Sequence, residues 1–163
     1  MVRLGLVVAA YDKGDGESVV ERMAEHAREA AAERGATLAA ELTVPGSYDT
    51  PLAADRLARR EDVDAVVVLG AVVTGDTDHD QVIAAAAAQG LTDVSLDRDT
   101  PVMCGILGPG MSRAEAEERV PKGGEVVESA IETVEELDRS PAAEPVSDRE
   151  PTSDPERDSN PDP

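Results

Sequence analysis

Aromatic residues and cations are scarce in this chain. Its 163 residues include no Trp and no Phe, and its two tyrosines are Tyr11 and Tyr48. Whatever core forms is built from Val, Leu, Ile and Ala, which the 40% apolar content allows. Cysteine occurs once, at Cys104, which rules out an internal disulfide framework and a multi-cysteine zinc site. No apolar run approaches the roughly 18–20 residues that span a bilayer. The opening segment MVRLGLVVAAYDKGDG lacks a signal-peptide cleavage pattern and reads as a buried strand, so a cytoplasmic location is expected. Lys and Arg total 15 against 35 Asp and Glu, a formal charge of −20. Phosphate-backbone binding needs clustered cations, so nucleic acid is not an expected partner, and neither is a membrane. Acids dominate the body as well as the tail. Such self-repulsion is best tolerated where salt screens it, and the chain reads as salt-adapted.

Cofactor motifs are also missing. The first strand is followed neither by G-x-G-x-x-G nor by a hydroxyl-rich phosphate loop, and no Walker sequence or G-x-S-x-G elbow occurs. Asp76, Asp78, His79 and Asp80 are too local a run to make a persuasive metal cluster.

What is present is a regular alternation. Four short apolar runs, Leu4–Ala10, Leu38–Val44, Ala65–Leu69 and Val102–Leu107, have the composition of strands buried on both faces. Ser18 and Glu21 form a capping-box pattern opening a helix with apolar positions Val19, Val20, Met23, Ala27, Ala30 and Ala31, ending at Gly35. Pro51 suits a first turn leading into Leu52–Arg60. An Ala-rich helix is expected from His79 to about Asp97, interrupted tolerably by Gly90. Ser112 and Glu115 form a second capping box. Pro121 and Gly123-Gly124 are expected to break the chain before a last helix with Val126, Val127, Ala130, Ile131, Val134 and Leu137 on its buried stripe. The order β-α-β-α-β-α-β-α-α predicts an α/β protein, a three-layer α/β/α sandwich on a parallel sheet. The folded domain is expected over residues 1–139. Residues 140–163 are a Pro-rich acidic tail with Val146 as their only large aliphatic, and are expected to be disordered.

In open parallel sheets, ligands bind outside the carboxyl ends of the strands. That selects four loops: 10–16, 45–51, 70–79 and 108–111. Both tyrosines lie in them, Tyr11 after the first strand and Tyr48 after the second. This placement suggests stacking on a planar ligand, although Tyr is also common in turns. Gly75-Asp76-Thr77 precedes a helix whose outward N–H groups suit an anion; locally, Asp76 or Thr77 serves equally well as an N-cap. His79 lies in the first turn. Imidazoles titrate near neutrality and suit proton transfer, while a histidine so placed is often structural. His26, among Glu25 and Glu29, is assigned no function.

Four segments carry a resemblance: VPGSYDTP (44–51), LGAVVTGDTDHDQV (69–82), TPVMCGILGPGMS (100–112) and EAEERVPKGGEVVESAIE (115–132). Over residues 2–138 the chain resembles the archaeal form of the lumazine synthases. The resemblance implies a flavodoxin-like sandwich with a four-stranded parallel sheet. It implies condensation of 5-amino-6-(D-ribitylamino)uracil with 3,4-dihydroxy-2-butanone 4-phosphate to 6,7-dimethyl-8-ribityllumazine in riboflavin biosynthesis, without a metal or organic cofactor. By position, Tyr11 matches the residue stacking on the pyrimidine. Ser47, Tyr48 and Asp49 match the segment holding the ribityl chain. Ala71, Val72 and Val73 match the pyrimidine pocket, Asp76 and Thr77 the phosphate cradle, His79 the proton-transfer residue and Arg119 the phosphate-binding arginine. Sites between subunits of a pentamer, or of a shell of pentamers, are implied, with Cys104 and Arg119 coming from the neighbour. Departures are Tyr11-Asp12 for the common Phe-Asn, Thr74 for a frequent Arg, and Cys104 where many members place an aromatic. Two other readings share the fold: a silent flavin- or lumazine-binding shell protein, and archaeal riboflavin synthase. The latter lacks the Gly75–His79 loop.

Overall fold

The structure, a computed structural model, describes residues 1–10 and 18–140. Tyr11, Asp12 and all of the expected tail beyond Ser140 lie outside the described residues. Strands β1 (Arg3–Ala9), β2 (Thr37–Val44), β3 (Ala65–Ala71) and β4 (Val102–Leu107) alternate with helices α1 (Val19–Glu33), α2 (Thr50–Ala58), α3 (His79–Arg98), α4 (Arg113–Glu117) and α5 (Lys122–Arg139). One sheet runs in the order β2-β1-β3-β4. Every pairing is parallel, with Val7 opposite Leu42 on one side and Val68 on the other, and Val68 opposite Cys104.

Alternation along each strand divides the core in two. Leu4, Leu6 and Val8 of β1, with Val67 and Leu69 of β3, pack against Val20, Met23 and Ala27 of α1 and Val127, Ala130 and Ile131 of α5. Val7, Val66 and Val68 face the other way, onto Ala54 and Leu57 of α2 and Leu91 of α3. These are the three layers expected. The expectation that every strand is buried on both faces holds for β1 and β3 only. β2 and β4 are sheet edges, and Glu41, Leu42, Thr43 and Cys104 are exposed.

Helix starts follow local chemistry. Ser18 Oγ accepts from Glu21 N–H at 3.3 Å, but the Glu21 carboxylate pairs with Arg28 at 2.9 Å instead of closing the box. The Ser112 box is complete: Glu115 N–H donates to Ser112 Oγ at 3.2 Å and Ser112 N–H to Glu115 Oε2 at 2.8 Å. The chain does not break at Gly123-Gly124. Both lie in the first turn of α5, because α5 crosses α1 there at backbone contact. A Cβ on Gly123 would stand 2.0 Å from the Met23 carbonyl oxygen. Gly90 is likewise a packing requirement: a Cβ there would come within 2.8 Å of the Pro51 ring, where α3 meets α2. Leu137, expected on the buried stripe, is exposed in the last turn of α5.

Ion pairs tie neighbouring elements within a layer. Asp55 of α2 accepts from Arg98 of α3 at 2.7 Å and from Arg59 at 2.8 Å. Arg98 first, then Arg59, holds the Asp55 carboxyl below the usual carboxylate range. Asp64, ahead of β3, accepts from both the backbone and the guanidinium of Arg3, and its carboxyl is likewise lowered by that pairing.

Candidate active site

Two loops at the carboxyl edge of the sheet enclose a cavity of about 430 Å³. The first follows β2. Gly46 leads into a single 3-10 turn, Ser47–Asp49, closed by the Asp49 N–H to Gly46 carbonyl bond at 3.0 Å. The buried Thr50 hydroxyl donates to the Ser47 carbonyl at 2.7 Å and locks the turn onto α2. This orientation puts Tyr48, 63% exposed, on the cavity wall. The Ser47 hydroxyl points inward, over Gly70, and is buried without a hydrogen-bond partner.

The second loop follows β3. Ala71, Val72 and Val73 continue along the wall, then Thr74, Gly75 and Thr77 turn the chain into α3. Asp78, rather than Asp76 or Thr77, occupies the N-cap position, and its side chain makes no capping bond. The carboxylate therefore does not occupy the first-turn N–H groups of α3, which carry the positive end of the helix dipole. His79 opens α3 at the cavity, exposed, with Asp80 and Ile83 beside it.

The cavity thus gathers Ser47, Tyr48, Ala71, Val72, Val73, Thr77 and His79 from two separate loops. Asp49 and Asp76 flank those residues in sequence but do not line the cavity. The sequence brings up Asp80 only within a metal-like run that is set aside, and it does not single out Ile83; both line the cavity. For Ile83 the available signal was its place one helical turn beyond His79, on the same face. Gly46, Thr74 and Gly75 lie within the selected loops and join the wall.

Cys104 and Arg119 are elsewhere in this chain. Cys104 is exposed on edge strand β4, in a separate shallow groove with Ala84, Ala85 and Ala88 of α3. Arg119 follows α4, whose Ala116 belongs to the α1–α5 core, on the opposite face of the sheet from Ser47. Its guanidinium donates to the Glu115 carbonyl at 2.7 Å. No Lys or Arg is among the described residues lining the cavity. Among the described residues, no group of three or more His, Cys, Asp or Glu is arranged to hold a metal ion, and no helix is long and apolar enough to cross a membrane.

The 6,7-dimethyl-8-ribityllumazine synthase family model matches residues 1–138. A 6,7-dimethyl-8-ribityllumazine synthase of Halorubrum lacusprofundi is 64% identical over 138 residues, covering 85% of this chain and 100% of the relative. One of Halobacterium salinarum is 63% identical, covering 84% of this chain and 100% of the relative. One of Methanococcus maripaludis is 43% identical, with 84% and 97% covered. The match takes in every strand, every helix to the last turn of α5, and both loops of the cavity: this chain belongs to the 6,7-dimethyl-8-ribityllumazine synthase family.

Proposed function

We propose that the protein condenses 5-amino-6-(D-ribitylamino)uracil with 3,4-dihydroxy-2-butanone 4-phosphate, releasing phosphate and water, to form 6,7-dimethyl-8-ribityllumazine in riboflavin biosynthesis. The observation that carries this reading is the convergence of the 47–48 turn, the Ala71–Val73 wall and His79 on one cavity, in a chain of this family. The amine attacks the ketone and an imine forms with loss of water. Phosphate is then eliminated, and the ribityl-bearing nitrogen closes the ring on the remaining carbonyl carbon with loss of a second water. These steps are proton transfers and an elimination, and they require no redox chemistry.

Each residue has a role that its position suits. The Ala71–Val73 backbone and Tyr11 bind the pyrimidine, Tyr11 by stacking. Ser47, Tyr48 and Asp49 hold the ribityl chain; the unpartnered Ser47 hydroxyl supports this, since a buried polar group without a partner invites one. The Asp76–Thr77 backbone and the uncapped start of α3 receive the phosphate. His79 moves the protons.

A departing phosphate also needs a cation. The described cavity wall has none, which favours a site completed by a second subunit, with Arg119 supplying the charge and Cys104 lying near the same boundary. Exposed apolar side chains on α3, Val82 at 62% and Leu96 at 77%, favour self-association, in a pentamer or a multiple of pentamers. The protein acts in the cytoplasm, adapted to salt; its relatives in halophilic archaea support this.

The test is direct. Purified protein incubated with both substrates should develop lumazine absorbance and fluorescence. Phosphate should appear with it, and His79→Ala should abolish both. Binding of lumazine without formation of it would favour a silent binding protein and overturn the proposal.

A further inference from the structure

Among the described residues only Ser47, Thr50 and Asp80 are buried polar groups, and Asp80 alone of them is a carboxylate. It is the second residue of α3, directly after His79, and is 7% exposed on the cavity wall. Burying a carboxylate is costly unless something holds it. Its Oδ2 accepts from the Gly110 N–H at 3.2 Å, across 30 residues of chain.

That bond completes a seam between two loops. The Val72 N–H donates to the Leu107 carbonyl at 2.8 Å, and the Thr74 N–H to the Met111 carbonyl at 2.9 Å. Between them Gly108, at φ 94°, lies so close that a Cβ would stand 2.0 Å from the Val72 carbonyl oxygen. The first two bonds fix the Val72–Thr74 segment. Neither reaches the helix that carries His79. Asp80 does.

We propose that Asp80 is a positioning residue for the reaction: by holding the Gly110 N–H, it anchors the first turn of α3 to the loop after β4 and so sets the place of His79 and of the first-turn N–H groups at the cavity. This rests on the function proposed above. The hydrogen bond does the anchoring, and Asn can accept the same bond, whereas Ala cannot and Ser is too short. Ser is also well tolerated at helix starts, which keeps a bond-deleting variant available if Asp80→Ala folds poorly.

The experiment compares wild type, Asp80→Asn, Asp80→Ser and Asp80→Ala in steady-state lumazine formation and in amide hydrogen exchange at Gly110. Ser and Ala should lower kcat at least tenfold, leave the KM for the pyrimidine within about twofold, and speed Gly110 exchange. Asn should restore most of the rate and the slow exchange. Equal damage from Asn would overturn the proposal, because the charge rather than the bond would then matter. Unchanged kcat in Ser or Ala, or unchanged Gly110 exchange, would also overturn it. So would loss of folded protein in both, which would assign Asp80 to the fold. Wild-type protein that forms no lumazine would instead fail the proposed function, and Gly110 exchange would still decide whether the anchor exists.

Discussion

Arg119 poses a sharp question at the scale of the residue, because in its own chain it does not line the cavity. The butanone phosphate carries about two negative charges near neutral pH, and a guanidinium can hold two of its oxygens at once. Arg119→Ala should lower kcat/KM for that substrate by roughly 10²-fold, about 3 kcal/mol, with Arg119→Lys recovering part of it. Steady-state kinetics and a separate pyrimidine titration would check this, the titration changing little. Mixed oligomers of the impaired Arg119→Ala and His79→Ala should exceed the activity of both parents after proven subunit exchange; no gain over the parents would reject a shared site. Asp55 offers a different test. Its carboxyl is depressed in the folded state by Arg98 and Arg59, so its stabilising contribution is present above the ordinary Asp value of about 4 and is lost as pH falls through the lower, folded value. Asp55→Asn should therefore lower Tm at neutral pH, and the difference from wild type should close as the solution is acidified below about pH 4. Calorimetry across that range would show it. Asp80 marks the limit of what can be read from residue identity. In the run Asp76, Asp78, Asp80 the three acids look alike, and burial of the third is decided by Gly110, far away in sequence.

At the scale of the element, two adjacent glycines in one helix turn separate propensity from packing. Replacing Gly by Ala in a helix gains about 1 kcal/mol of propensity at either place. At Gly124 the new Cβ would meet its nearest neighbour, the His26 carbonyl oxygen, at 3.4 Å. At Gly123 it would run into the Met23 carbonyl of α1, and overpacking of this kind costs about 1–3 kcal/mol or more. Gly124→Ala should be neutral or slightly stabilising, and Gly123→Ala should lower Tm by several degrees in a thermal melt. The sequence pattern places Gly123 and Gly90 as interruptions because local propensity is blind to the element across the contact. The strands and α1 were legible for the opposite reason. Their apolar spacing and the Ser18 cap are properties of the segment itself. Which strands become edges was not legible, since TLAAELTV and VMCGIL are as apolar as many central strands. Only the pairing order leaves them with one neighbour. The cavity loops were legible through the strand-end rule, and the loop order located His79. Which side of the sheet Arg119 reaches depends on packing of α4 that no motif encodes.

At the scale of the molecule, charge governs behaviour. With −20 on the chain, self-repulsion is strong, would grow in the proposed assembly, and is screened over about 10 Å at 0.1 M salt and about 3 Å at 1 M. Tm should climb steadily from low to molar potassium chloride, and a flat profile would remove the argument for salt adaptation. The stretch after residue 138 lies outside the family match. Deleting residues 141–163 should leave turnover and sedimentation nearly unchanged, since that stretch offers almost nothing to bury. A core without aromatic rings also decides what light can report. Both halves of the interior are aliphatic, and all near-ultraviolet absorption from aromatic side chains comes from Tyr11 and Tyr48, with Tyr48 on the cavity wall. The Tyr48 share of tyrosine emission is therefore a gauge of the cavity wall. A planar ligand should quench it while the backbone signal in the far ultraviolet stays still, and heat should erase the backbone signal with little warning from exposed Tyr48.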